Sequence, residues 1–169
     1  MITIRDLIDE KFSKFPSQKM VVLKMMEYGL RVANGKILCN EIEVDIRSLA
    51  RACNVDARVA KTTVENIGRD ERLRTVFSNL KSTLHLGLVA PHLGMGEIVI
   101  EAVNAKDPGI IYEVAHVLWK KKISIRQAIG DDPDFVSNAK LYVITDSPIP
   151  PELIPEIKKS EKIKSLTIY

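Results

Sequence analysis

A short segment at residues 104–111, Asn-Ala-Lys-Asp-Pro-Gly-Ile-Ile, carries the residues of this chain that are best suited to bind a small anion. Pro108 suits the first turn of a helix because its φ is fixed and its missing N–H would be unpaired there. Gly109 lets a ligand approach the backbone closely. A helix that begins at this corner presents unpaired N–H groups and a partial positive charge, so it can hold a carboxylate or a phosphate.

Two elements must position this corner. Ile98 and Ile100 alternate with Glu97 and Glu101, which predicts a half-buried strand before the corner. After the corner, apolar side chains recur at helical spacing on one face, with polar ones opposite. The apolar positions are Ile110, Ile111, Val114 and Leu118. The sequence therefore predicts a strand, a glycine corner and an amphipathic helix.

The rest of the C-terminal half continues this pattern. Strands are predicted at residues 123–129, 140–145 and 163–169, with a turn at 130–134 and a short helix through 153–157. Pro155 implies that this helix begins late or has an irregular first turn. The predicted order is βαββαβ, the ferredoxin-like split arrangement.

The corner, set between these elements, resembles the effector loop of the ACT domain, a ferredoxin-like module that senses amino acids and related small metabolites. Nearly the whole chain is similar to archaeal regulators of amino acid metabolism that contain an ACT domain. Besides 104–111, the segments that carry the resemblance are 125–129, 131–133, 140–144 and 148–150. ACT domains commonly pair side by side and bind effectors at the shared edge, so the resemblance implies a homodimer or a larger homo-oligomer.

The glycine corner and the resemblance together indicate which residues bind the effector. The candidates are Asn104, Lys106, Asp107, Pro108, Gly109, Ile110, Ile111, Arg126 and Gln127. A carboxylate would meet the N–H groups around Gly109 and Ile110, while Asn104 and Asp107 would contact an amino group. The two residues at 126–127 reach either the effector or a neighbouring subunit, and strand polarity alone leaves both interpretations open.

The N-terminal half is predicted to be mainly helical. Ser17 caps a first helix that ends near Asn34 and Gly35, which supply a left-handed corner. Residues 36–44 form one short strand or a tight hairpin. A later helix at 68–80, capped by Asp70, carries several arginines; a solvated charged face is favoured over contact with a nucleic-acid backbone. Basic residues outnumber acidic ones in residues 1–82 but not in 83–169.

Residues 45–67 match a helix-turn-helix pattern, in which Asp45 and Asp56 cap two helices and Asn54 adopts a positive φ between them. Thr63 stands where an apolar side chain is usual. The second helix presents Arg58, Lys61 and Thr62 outward, where the basic pair can contact phosphates or guanine edges. Glu65 would read a cytosine amino group or hinder approach. DNA binding is favoured over a helical dimerisation domain of the same shape.

Composition bounds the remaining possibilities. The chain has 169 residues, 46% hydrophobic content and a formal charge of +3, which suits two small globular domains. Charged residues near the N-terminus argue against a secretory signal, and the lack of a long apolar run argues against a membrane span. We therefore expect a soluble, cytoplasmic protein. Cys39 and Cys53 are predicted to be small buried hydrophobes. The carboxylates at 131, 132 and 134 are better explained as turn formers than as cation ligands.

Together these patterns predict an α+β fold with three parts. A helix-turn-helix-like domain at 1–82 is followed by a connector at 83–95 and a ferredoxin-like ACT domain at 96–169. We expect no catalytic residues, metal or cofactor, and no enzymatic activity, because no nucleophile, phosphate-loop or zinc motif occurs in the sequence. The function indicated is an effector-sensing transcriptional regulator. The alternative is a regulatory subunit that controls a metabolic enzyme in trans without binding DNA.

Overall fold

The computed structural model describes residues 3–169, and the chain forms two compact units. The first ends at Leu84 and the second runs from His85 to Tyr169. Most of the segment predicted as a connector therefore belongs to the second unit, where a 3₁₀ helix spans Gly87–Leu93. Among the described residues, no helix is both long and apolar enough to cross a membrane.

The described part of the first unit, from residue 3 onward, combines five helices with a small antiparallel sheet of order β1-β2-β3. Its elements are α1 (Ile4–Phe12), α2 (Pro16–Glu27), β1 (Arg31–Ala33), β2 (Lys36–Cys39), β3 (Ile42–Val44), α3 (Ile46–Ala52), α4 (Ala57–Arg69) and α5 (Glu71–Ser78). The core between the helices contains Phe12, Met25, Ile67, Leu73 and Phe77, all at most 1% exposed. Asp45, Asp56 and Asp70 each accept a backbone hydrogen bond at the start of the helix that follows, which confirms their predicted capping roles.

The predicted bounds of the first long helix are wrong at both ends. Pro16 rather than a Ser17 cap begins α2, because proline already suits the first helical position. The helix ends at Glu27, and Gly29 just beyond it has a φ of +60°, with the N–H of Leu30 bonded to the carbonyl of Met25 over 2.8 Å. Asn34 and Gly35 are instead the two-residue loop of the β1–β2 hairpin, both with positive φ.

The second unit follows the predicted order βαββαβ. Its elements are β4 (Gly96–Ala102), α6 (Ile110–Lys120), β5 (Ile125–Gly130), β6 (Lys140–Thr145), α7 (Leu153–Ile157) and β7 (Ile163–Ile168). The four strands form an antiparallel sheet of order β5-β6-β4-β7. Pro155 lies in the first turn of α7, where its missing N–H costs no helical bond.

Helices α6 and α7 cover one face of this sheet. Val114 and Leu118 from α6 and Leu153 from α7 pack against Ile98 and Ile100 of β4. The 3₁₀ helix lies against the opposite face, where the rings of His85 and Tyr142 meet edge to face. Its presence buries Glu97, which alternation alone predicts to face solvent; this side chain is 1% exposed.

Candidate functional site

Gly109 forms the corner between β4 and α6. It is the N-cap of the helix and has a φ of +92°, a conformation that favours glycine. No side chain of the described residues caps the helix there. The carbonyl of Gly109 accepts the first helical bond, from the N–H of Glu113 at 3.0 Å. The preceding loop is held by Asn104, whose amide donates to Asp107 over 2.6 Å and whose side-chain oxygen accepts from the N–H of Lys106 over 3.1 Å.

The first turn of α6 leaves backbone donors unused. Within residues 3–169, no acceptor pairs with the N–H groups of Ile110, Ile111 or Tyr112. Three adjacent donors at the start of an 11-residue helix form a local positive potential. The corner can therefore accept an anionic group without displacing a bond of the protein.

A cavity of about 360 Å³ lies beside this turn, between α6 and the ends of β4, β5 and β6. It is lined by Ile100, Ala102, Ala105, Asp107, Gly109, Ile110, Ile111, Tyr112, Gly130, Asp131, Ala139, Lys140 and Leu141. Most of these positions are apolar, and two carboxylates stand among them. The cavity thus combines unpaired N–H donors, acidic acceptors and an aliphatic floor, which suits a small ligand that carries both charges and an apolar part.

Asp131 lies at the rim of the cavity, where its pairing with Lys140 at the start of β6 fixes its position. Its N–H donates to the carbonyl of Lys140 over 2.8 Å, and its carboxylate accepts the N–H of Lys140 over 3.0 Å. The neighbouring carboxylates of the same loop have other partners: Asp132 accepts the N–H of Asp134, and Asp134 pairs with Lys106 over 2.7 Å.

Lys162 lies against the outer side of the corner. Its ammonium donates to the carbonyl oxygen of Pro108 over 3.0 Å and lies 3.3 Å from the carboxylate of Glu113. A Cβ placed on Gly109 would be 3.2 Å from the same ammonium. A hydrogen bond with the Ser160 side chain, helped by Lys162, lowers the pKa of Glu113 below its usual value.

The structure brings together only part of the candidate set. Asp107, Gly109, Ile110 and Ile111 line the cavity, whereas Asn104, Lys106, Pro108, Arg126 and Gln127 do not. Asn104 organises the loop, and Lys106 is paired with Asp134. The side-chain oxygen of Gln127 accepts a hydrogen bond from the N–H of Leu86 over 2.9 Å. Gln127 therefore lies on the sheet face that packs against the 3₁₀ helix. Sequence reasoning missed Tyr112, which directly follows Ile111, and it missed Asp131 and Lys162, which only the folded topology brings to the corner.

The helix-turn-helix candidate is formed by α3 and α4. Asn54 has a φ of +52°, as predicted, and the N–H of Val55 reaches the carbonyl of Ala50 over 3.0 Å to close the turn. Ala50 and Ala60 are buried at 3% and 0% exposure, respectively. Thr63 is also fully buried, and its hydroxyl donates to the carbonyl of Val59 over 2.7 Å, so a polar side chain is accommodated in an apolar position.

The outward face of α4 carries mixed charge. Arg58, Lys61 and Thr62 are all exposed, as is Glu65, whose carboxylate lies 3.7 Å from Arg69. Nearby, Arg72 of α5 pairs with Glu10 of α1 over 2.7 Å. This face offers two cations to an acidic partner, with one carboxylate beside them.

Comparisons with known proteins do not assign a family. No protein-family model and no curated protein matches the sequence. Among solved structures, the chain is similar to a transcriptional regulatory protein of the AsnC family from Pyrococcus furiosus, with 14% identity over 75% of this chain and 77% of that one and a TM-score of 0.28.

Two further solved structures cover more of the chain. A glycine-to-threonine mutant of the protein Rv3291c shows 10% identity over 90% of this chain and 89% of that one, with a TM-score of 0.30. The protein PH0061 shows 15% identity over 90% of this chain and 88% of that one, with a TM-score of 0.24. At such low TM-scores, these likenesses do not bear on the activity of this chain.

Proposed function

We propose that this chain is an effector-sensing regulator of amino acid metabolism. In this proposal the second unit is an ACT domain that binds an amino acid or a related metabolite, and the first unit binds DNA through α4. The observation that carries the proposal is the cavity of about 360 Å³ beside three unpaired N–H groups at the start of α6. Sites for small molecules commonly have volumes of roughly 300–1,000 Å³, so the cavity fits a ligand at the small end of that range.

The cavity would recognise a zwitterion with an apolar side chain. The carboxylate would accept hydrogen bonds from the N–H groups of Ile110 and Ile111. The ammonium group would lie near Asp107 and Asp131. An aliphatic side chain would pack on Ile100 and its neighbours in the cavity floor. Each part of an amino acid thus has a matching group in the protein.

The DNA contact would involve exposed residues of α4. Arg58 and Lys61 would contact phosphates or guanine edges, and Thr62 would contact the backbone or a base. If two chains pair, as the ACT resemblance implies, two such helices fit a two-fold site whose halves lie about 34 Å apart. The effector would change DNA affinity because it binds more tightly to one arrangement of the paired units than to the other.

One structural feature favours the second candidate, a regulatory subunit that acts on an enzyme and not on DNA. Glu65 lies on the same exposed face as Arg58 and Lys61. A carboxylate on a helix that approaches phosphates is repelled, whereas a protein partner with mixed charge tolerates it. Under both candidate functions the chain has no catalytic role and acts in the cytoplasm.

A salt-dependent gel shift on the DNA upstream of its own gene separates the two candidates. A DNA-binding regulator loses affinity steeply as salt rises, and Arg58→Ala or Lys61→Ala lowers the slope of log K against log salt by about 0.9 for each phosphate that is no longer neutralised. The matched control is Lys36→Ala, since Lys36 is also exposed but lies on the hairpin and pairs with Glu43. Absence of binding even at low salt supports the enzyme-directed candidate.

A further inference from the structure

Glu97 is a carboxylate buried beneath the 3₁₀ helix of the second unit. Its side chain is 1% exposed, and among the described residues no donor reaches its Oε2 atom. Its Oε1 atom lies 2.8 Å from the position that a Cβ on Gly87 of the 3₁₀ helix would occupy. Burial of a carboxylate oxygen that has no donor costs free energy, which is recovered when the covering segment opens and water reaches the group.

His85 lies beside Glu97 but does not neutralise it. The Cε1 atom of the imidazole ring would be 2.6 Å from the same Cβ on Gly87. Nδ1 of His85 accepts the N–H of Gly87 over 3.0 Å, so this nitrogen does not donate to a carboxylate. Within residues 3–169, no ion pair joins Glu97 to His85 or to any lysine or arginine. The buried charge is therefore not compensated by a neighbouring cation.

The segment that covers Glu97 buries little apolar area of its own. We call residues 86–95 the lid. Within its 3₁₀ helix the buried residues are the small Gly87 and Ala90, whereas Leu88 is 82% exposed and Leu93 is 58% exposed. Because burial is driven by the apolar area removed from water, the side chains of the lid contribute weakly to its closure.

We infer that the lid opens in the folded protein and that the buried carboxylate of Glu97 keeps its closed state weak. In the open state Glu97 is hydrated, and the hydrogen bond from the N–H of Leu86 to the side chain of Gln127 is broken. Gly94 ends the 3₁₀ helix with a φ of +71° and is the pivot. The four-stranded sheet and α6 stay folded, because their core lies on the other face of the sheet.

Opening of the lid changes two properties of the chain. It uncovers the sheet face around Glu97, which is otherwise buried. It also lengthens the free chain between the two units, because the first unit ends at Leu84 and the lid lies at the start of the second. The lid is thus a conformational switch placed where the two units are joined in the chain.

This inference does not depend on the proposed function. Neither Glu97 nor any residue of the lid lines the cavity beside Gly109, so effector binding and opening of the lid can fail separately. Substitutions at Glu97 test the lid, while substitutions at Asp107 test the cavity.

Hydrogen exchange of backbone amides, followed by NMR on the full-length protein, tests the inference. The N–H groups of Ala90 and Met95 donate within the lid, over 2.9 and 3.0 Å, so their exchange reports its opening. Both should exchange about tenfold or more faster than the amide of Leu118, which belongs to the core of the same unit. Glu97→Gln keeps the shape of the side chain and removes its charge, so it should slow exchange at both lid amides by about tenfold. Glu97→Met, which also removes the polar atoms, should slow it as well.

Glu101→Gln is the matched control. Glu101 lies on the same strand, but its carboxylate already accepts hydrogen bonds from Lys164 and Ser165. This variant should leave exchange at the lid amides as in the parent. Three results would overturn the inference: lid amides that exchange as slowly as that of Leu118, lid exchange that neither substitution of Glu97 slows, or equal slowing in Glu101→Gln.

Discussion

The ammonium of Lys162 donates a hydrogen bond of 3.0 Å to the carbonyl oxygen of Pro108. The bond ties the segment that leads into β7 to the corner from which α6 begins. It also brings a positive charge to within 3.2 Å of the position that a Cβ on Gly109 would occupy. The corner is thus supported from outside by a distant part of the chain, while the N–H groups of the first turn of α6 have no partner within residues 3–169.

The ion pair at this corner should depend on pH. Because the pKa of Glu113 is lower in the folded protein than in the unfolded chain, the unfolded chain binds more protons as the pH falls. The contribution of Glu113 to stability is therefore present above its unfolded pKa, about 4.3, and is lost as the pH falls through its lower folded value.

Urea unfolding from pH 7 to pH 3 of the parent and of Glu113→Gln measures this contribution. The parent should lose more stability than the variant across the acidic range. Parallel curves for the two proteins would show that Glu113 makes no such contribution. Glu152→Gln serves as a control because Glu152 is exposed and no salt bridge joins it to another described residue.

The charge of Asp107 should matter for the effector. Asp107→Asn keeps the shape of the side chain and its bond from Asn104 but removes the negative charge that faces the ligand's ammonium. Hydrogen bonds to charged groups contribute about 1.5–3 kcal/mol, so we expect affinity to fall by roughly tenfold to a hundredfold. A screen of amino acids for the one that most raises the melting temperature identifies the ligand, and isothermal titration with that amino acid measures the change.

Asp134→Asn is the control for this substitution. Asp134 belongs to the same region of the second unit and pairs with Lys106, but it does not line the cavity. Equal loss of affinity in both variants would mean that overall charge, and not contact with Asp107, determines binding.

Much of the second unit could be predicted because its signals are local. The strand, the glycine corner and α6 are contiguous, and each has its own periodicity. The face of Gln127 could not be predicted, because the register of β5 against β6 shifts between Ile125 and Gln127 and interrupts simple alternation. Lys162 and Asp131 carry no local signal, since only the antiparallel order of the strands brings them near Gly109.

In the first unit, a local signal was ambiguous because it suits two kinds of structure. The pair Asn34 and Gly35 suits either the end of a helix or a two-residue hairpin loop, because both need positive φ. Gly29 already supplies the left-handed turn after α2, so the pair is available for the hairpin. Sequence reasoning does not find helix α1, although Thr3 and Asp6 form a reciprocal cap at its start.

The effect of replacing Asn54, in the turn between α3 and α4, on stability should depend on how well the new residue tolerates a positive φ. Asn54 has a φ of +52°, which is unfavourable for residues with a Cβ other than asparagine and aspartate. Asn54→Ala should lower the free energy of unfolding by about 1 kcal/mol, and Asn54→Gly should leave it unchanged or higher. Chemical denaturation measures both; a more stable alanine variant would contradict the left-handed turn.

Thr63 should be replaceable by valine with little loss. Its buried hydroxyl donates a hydrogen bond to the carbonyl of Val59 in its own helix. That carbonyl also accepts the helical N–H bond, so it stays paired when the hydroxyl is removed. Thr63→Val keeps the volume, so we expect the free energy of unfolding to change by less than about 1 kcal/mol. Thr63→Ala, which leaves a small cavity, should be the less stable of the two variants. A large loss in the valine variant would reveal a further partner of the hydroxyl.

The proposed effector site is tested most directly by an amide NMR titration of the full-length protein with the twenty amino acids, one at a time. For the amino acid that binds, the backbone N–H signals of Ile110, Ile111 and Tyr112 should shift at saturation. The C-terminal amide of that amino acid, which lacks the carboxylate, should bind far more weakly. If an amino acid binds and leaves these three signals unmoved, or if its amide derivative binds equally well, the start of α6 is not the effector site.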